Sequence, residues 1–174
     1  LKEAELCLRK AISIDPNFVN AYYNLGIILQ DLGNLEEAEE SYSKAIKLKP
    51  DFAEAHSNLG NLFKDISKLQ AAESSLRKAI EINPNSATAN YNLGNILQDL
   101  GNKEEAEKFY LKAIKFKPDF AEAYCNLGNL FKDLGKLQEA ESLHRKAIKL
   151  KPDFADSHYN LGNTLRKLNR LDEA

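Results

Sequence analysis

All five prolines of the chain, Pro16, Pro50, Pro84, Pro118 and Pro152, lie 34 residues apart. Gly26, Gly60, Gly94, Gly128 and Gly162 keep the same interval, and the remaining glycines, Gly33, Gly101 and Gly135, share one further position of the same frame. Proline and glycine punctuate backbone structure more strongly than any other residues. A strict period in them therefore dictates an array of short, similar modules, each burying its apolar side against its neighbours.

The clearest copy is 87–120. Numbered from 1 at Ala87, its positions recur along the chain: Tyr or His at 4 or 5, Asn-Leu-Gly at 6 to 8, Ala at 20, a large residue at 24, Ala at 27 and Pro at 32. This pattern resembles the tetratricopeptide repeat, a helix-turn-helix unit of 34 residues, and the resemblance covers the whole chain. It implies an all-α, right-handed solenoid. Residues 1–18 supply the second half of a repeat, 19–52, 53–86, 87–120 and 121–154 are complete repeats, and 155–174 open a fifth, all within one array.

In each repeat a first helix is expected over positions 2 to 14 and a second over 17 to 30. In residues 1–14, Leu1, Ala4, Leu8, Ala11 and Ile12 recur at helical spacing and Glu5 stands four residues before Arg9, the favoured orientation for a helical ion pair. Gly33, Gly101 and Gly135 sit where a first helix must stop in the left-handed conformation; Ser67 and Asn169 fill that position elsewhere, and Ser67 marks the softest expected joint. Asn34 with Glu37, and Asn102 with Glu105, have the spacing of a capping box. The glycines at position 8 fall inside a helix, where each costs up to about 1 kcal/mol against alanine, so a close contact is expected there, with the alanine at position 20 as its partner.

The copies also pair. Residues 19–52 match 87–120 at 25 of 34 positions and 53–86 match 121–154 at 22, whereas 19–52 and 53–86 match at only 13. A two-repeat unit was duplicated, and the chemistry of any binding surface should alternate with it.

Charge excludes several functions. With 24 basic and 26 acidic residues the net charge is −2, which offers no basic field for nucleic acid or an anionic membrane. No apolar run approaches the ~20 residues of a membrane-spanning helix. Cys7 and Cys125 are more than three repeats apart and no Asn-x-Ser/Thr sequon occurs, which points to free thiols in a reducing, cytoplasmic setting. His56, His144 and His158 stand on three different repeats and form no metal-ligand cluster; flat rings packed between helices are expected instead. Gly128 to Lys136 has six residues between its glycines and Leu137 after the lysine, so it is not a phosphate loop. No nucleophile elbow or Cys-His pair is present. The reading is a protein without catalytic chemistry and without a cofactor.

The resemblance adds a surface. In tetratricopeptide arrays the first helices line a concave groove that holds extended peptides or a partner's helix, through positions 2, 5, 6, 9, 12 and 13. Mapped here, position 6 is Asn24, Asn58, Asn92, Asn126 and Asn160, and position 9 adds Asn61, Asn95, Asn129 and Asn163, with Ile27 the exception. Such a row resembles the asparagine ladder of the O-linked N-acetylglucosamine transferase array, which holds polypeptide substrates; the same residues equally suit inter-repeat hydrogen bonds. Around it lie Tyr23, Ser57, Tyr91, Cys125 and Tyr159 at position 5, and Gln30, Lys64, Gln98, Lys132 and Arg166 at position 12. Position 13 is Asp31, Asp65, Asp99 and Asp133, then Lys167. The carboxylate clamp of co-chaperone members is not expected, because position 2 is Asn20, Glu54, Thr88, Glu122 and Asp156 and positions 5 and 6 carry nothing basic.

The expected function is therefore a protein-interaction scaffold that binds an extended peptide. The alternatives are the substrate-recognition arm of a larger glycosyltransferase or sulfotransferase, and a consensus-like array with no natural ligand. Because the chain starts and stops in mid-repeat, it is expected to be a segment of a longer array whose ends stack head to tail.

Overall fold

The computed structural model describes residues 1–170. Among them the chain forms helices and turns only, grouped into two compact units. The first, Leu1–Pro84, contains α1 (Lys2–Ile14), α2 (Val19–Asp31), α3 (Leu35–Leu48), α4 (Ala53–Asp65) and α5 (Leu69–Ile82). The second begins at Asn85 and contains α6 (Ala87–Asp99), α7 (Lys103–Phe116), α8 (Ala121–Asp133), α9 (Leu137–Leu150) and α10 (Ala155–Lys167). The second helix of the last repeat, expected to open at 171–174, lies outside the described residues.

First helices occupy positions 1 to 13 of the repeat, one residue earlier than expected, and second helices occupy 17 to 30 as expected. Consecutive helices pack on each other: α1 to α5 in order in the first unit and α6 to α10 in the second, with α2 also reaching α4, α6 reaching α8, and α8 reaching α10. This is the all-α repeat stack that the period required. Each helix is amphipathic, and its apolar stripe falls at fixed positions. Leu25, Leu59, Leu93 and Leu127 at position 7 are buried, as are the alanines at positions 20 and 27 of the four complete repeats. Large side chains fill position 24, where Tyr42, Leu76, Tyr110 and His144 have no more than 1% of their surface exposed.

The turns follow from the backbone. Gly33 has φ +80°, and the nonglycine residues Ser67 and Asn169 at the same position take φ 60° and 57°. The stop is closed in the Schellman manner: Gly33 N–H donates to the Gln30 carbonyl at 3.0 Å and Asn34 N–H to that of Leu29 at 2.8 Å. Ser67 reproduces both bonds, its own to Lys64 at 2.9 Å and that of Lys68 to Phe63 at 2.8 Å. The geometry is thus imposed by the repeat rather than by the residue, and Ser67 bears the strain of a left-handed β-carbon.

Two expectations are corrected. Asn34 and Asn102 stand at the N-caps of α3 and α7, but their side chains make no capping bond; among the described helices only Ser86 caps through its side chain, accepting from Ala89 N–H at 3.2 Å. The close contact of position 8 is made first with position 24; the alanine at 20 comes near at Gly60, where an added β-carbon would lie 2.7 Å from Leu76 Cγ and 3.3 Å from the Ala72 carbonyl oxygen. A β-carbon added at Gly94 would lie 2.7 Å from Tyr110 Cε1, and at Gly26 it would lie 2.6 Å from Tyr42 Cε1. Glycine is required at these two positions because a flat ring lies directly on the helix backbone, and position 24 sits about one turn along the partner helix from where small-residue packing alone would have placed the contact.

Candidate functional site

The face formed by the first helices collects the polar positions of the repeat. In the first unit, Tyr23 at position 5 lies against Phe52 with ring centroids 4.8 Å apart and against Tyr42 at 6.1 Å. Its hydroxyl accepts a hydrogen bond from Asn58 Nδ2 at 3.1 Å, so position 6 of one repeat reaches position 5 of the repeat before it. Tyr42 donates to Gln30 Oε1 at 3.1 Å, and Gln30 Nε2 donates to Asp65 Oδ2 at 3.1 Å. A continuous polar strip therefore runs from α2 to α4, fastened from below by a buried phenol. Burial raises the pKa of both tyrosines, Tyr42 the more strongly, and keeps both hydroxyls protonated.

The second unit repeats the arrangement with one rung added. Tyr91 lies 4.8 Å from Phe120 and 6.1 Å from Tyr110, centroid to centroid. Asn126 Nδ2 donates to Tyr91 Oη at 3.0 Å and to Asn95 Oδ1 at 2.9 Å. The Tyr110 hydroxyl faces Asn95 Oδ1 at 2.8 Å and Gln98 Oε1 at 2.9 Å, one proton between two carbonyl oxygens. In the next repeat Cys125 takes the place of tyrosine and is buried, and Asn160 Nδ2 approaches its sulfur at 3.6 Å. Lys132 Nζ donates to Asn129 Oδ1 at 3.3 Å and to Asn160 Oδ1 at 3.5 Å.

Of the expected site residues, Asn58, Asn61, Asn92, Asn95, Asn126, Asn129, Asn160 and Asn163 are half-buried on this face, and Asn24 is exposed. Tyr23 and Tyr91 are half-buried and engaged in packing, whereas Tyr159 is 73% exposed. Lys64 and Arg166 are exposed and Lys132 is half-buried. The structure brings the asparagines into contact with the tyrosines, which sequence reasoning treated as separate neighbours. The signal was present: Gln stands at position 12 in the repeats that have Tyr at 24, and Lys in those that have Leu or His there.

The histidines divide. His144 is fully buried against Gly128, and neither ring nitrogen has a hydrogen-bond partner. Burial first, and the charge of Lys132 second, lower its pKa from 6.5 to about 4. His56 and His158 are not sandwiched between helices in that way; each reaches the carbonyl of the proline ending the previous repeat, Pro50 at 3.0 Å and Pro152 at 2.8 Å, with Nε2 as the donor. No group of three or more His, Cys, Asp or Glu is placed to hold a metal among the described residues, and no described helix is long and apolar enough to cross a membrane.

Three family descriptions match the chain: tetratricopeptide repeat at 19–52 and 121–154, TPR repeat at 1–33, 60–101 and 94–135, and a further tetratricopeptide repeat at 145–174. The chain belongs to the tetratricopeptide repeat family. Among solved structures it is similar to MamA, with 32% identity, a TM-score of 0.79, and 87% of this chain and 88% of that one covered. It is also similar to YrrB, described as a TPR protein with an unusual peptide-binding site, at 26% identity and a TM-score of 0.79 over 94% of this chain and 84% of that one. PilF of Pseudomonas aeruginosa matches at 25% identity and a TM-score of 0.80, over 87% and 69% of the respective chains. No curated protein sequence matches.

Proposed function

We propose that the chain is a protein-interaction scaffold with no catalytic step, and that the first-helix face of each unit binds an extended polypeptide segment. The observation that carries this is the fastening of the asparagines. Asn58 and Asn126 are each tied by Nδ2 to a tyrosine of the preceding repeat. An amide held at one edge keeps a fixed orientation and can offer its remaining hydrogen-bonding capacity to a ligand, and a side chain fixed beforehand loses less entropy when the ligand arrives. Each bond to a peptide amide adds about 0.5–1.5 kcal/mol net, so micromolar binding, ~8 kcal/mol, takes a row of them rather than one. The peptide-binding site described for YrrB, a neighbour of the same fold, supports the reading.

The test is a peptide-array screen of the native chain against a variant with Asn58, Asn92 and Asn126 all changed to Ala, with helicity and melting followed by circular dichroism. Loss of bound peptides at retained helicity is expected. An unchanged peptide profile in a folded variant overturns the assignment of the face.

A further inference from the structure

The basic side chains outside the first-helix face are largely occupied. Arg9, Lys68, Arg77, Lys78, Lys136, Arg145, Lys151 and Arg170 are ion-paired, and Lys44, Lys112 and Lys146 lie over aromatic rings. Lys132 is different. It is half-buried on the ligand face, and its acceptors are two neutral amide oxygens, Asn129 Oδ1 and Asn160 Oδ1. It forms no ion pair among the described residues. A half-buried ammonium without a carboxylate keeps an unmet attraction for an anion.

The first unit shows what ordinarily meets this position. There Gln30, at position 12 of α2, contacts Asp65, at position 13 of α4. In the second unit the same two positions of α8 and α10 hold Lys132 and Lys167, and α8 and α10 pack directly. Where α4 and α8 carry a carboxylate at position 13, Asp65 and Asp133, α10 carries a second cation, Lys167, in its basic last turn. Asp133 adjoins Lys132 in sequence but is exposed and likewise carries no ion pair among the described residues; successive helical side chains diverge.

We infer that the α8–α10 end of the second unit's face seats a carboxylate of the bound peptide, between Lys132, held out by Asn129 and Asn160, and Lys167 of α10, so that this unit selects an acidic segment. The inference rests on the peptide-binding reading above and adds a charge preference to it. Opposite charge at a partly desolvated site sets specificity and register more than overall affinity, and the preference weakens with salt because part of the site is exposed.

The experiment uses the full chain and two short fluorescein-labelled peptides of equal length, one alternating Gly and Asp, the other Gly and Asn. Anisotropy is read at about 50 mM and about 300 mM salt, on either side of physiological screening. The native chain is expected to bind the Asp peptide about tenfold more tightly than the Asn peptide at the lower salt, with the gap narrowing at the higher. Lys132→Gln introduces the residue that α2 and α6 carry at the same position, and Lys167→Asp the residue found in the other copies, so both are compatible with the fold. Each should remove most of the gap, while Lys47→Gln, exposed on α3 and outside the first-helix face, leaves it. Equal binding of the two peptides, or a gap that survives Lys132→Gln, overturns the charged seat while leaving peptide binding intact. Failure of both peptides to bind overturns both readings.

Discussion

Acidification should loosen the second unit through a single side chain. His144 is fully buried, its ring nitrogens have no partner, and its pKa is lowered to about 4 from 6.5. The unfolded chain takes up the proton near pH 6.5 and the folded chain only near pH 4. The stability associated with the neutral ring is therefore complete above pH 6.5, falls as the pH descends from there toward 4, and changes no further below it. A gap of 2.5 pKa units at about 1.4 kcal/mol each sets the loss at roughly 3 kcal/mol, a large part of the stability of a small domain. No discount for solvent screening applies, because the ring is buried. Leu76 occupies the same position in the first unit, facing Gly60, so His144→Leu supplies a variant that packs but cannot ionise. Urea melts from pH 7.5 to 4, with hydrogen exchange of α8 and α9 as the local readout, should show the native chain losing stability relative to His144→Leu. At neutral pH the variant should be the more stable by about 1–3 kcal/mol, since it buries no unsatisfied nitrogen. Parallel stability curves for the two proteins across this range would refute the reasoning.

Other outcomes are equally definite. Gly94→Ala gains about 1 kcal/mol of helix propensity but drives a β-carbon to 2.7 Å from a buried ring whose hydroxyl is tied at both sides; a net loss of about 1–2 kcal/mol is expected in urea melts. Ser67→Gly relieves a left-handed β-carbon at φ 60° and should raise stability by about 1 kcal/mol, whereas Gly101→Ala at φ +82° should lower it by a similar amount although nothing lies within 4 Å. A double-mutant cycle between Tyr91→Phe and Asn126→Ala should show a coupling of about 1 kcal/mol across the repeat junction, and none with Tyr91→Phe and Asn58→Ala.

The fold was legible because its punctuation is. Proline at position 32 and, in three of five copies, glycine at position 15 mark both turns, and the alanines at 20 and 27 declare the buried stripe. Contacts between repeats were not legible. The pairing of Asn58 with Tyr23 spans 35 residues and depends on how far one helix pair rotates relative to the last, a quantity set by summed packing rather than by any residue. The same limit explains the misplaced partner of Gly94: the sequence shows that position 8 must be small, not which of two buried positions lies against it. The capping asparagines failed for a local reason. At Asn34 the amide N–H is already spent on the Leu29 carbonyl, and the Schellman closure that starts the turn also fixes the asparagine backbone at φ −83°, ψ 67°, outside the usual β region of a side-chain-capped N-terminus.

Because Asn58 and Asn126 each fasten a tyrosine of the preceding repeat, the rungs at Tyr23 and Tyr91 are not finished by their own 34 residues. Excising a repeat would disturb two sets of contacts, its own and those it completes upstream. Recognition in such a chain is inherited in overlapping pieces, and the smallest portion that can be moved intact to another scaffold is a module together with the opening helix of the next.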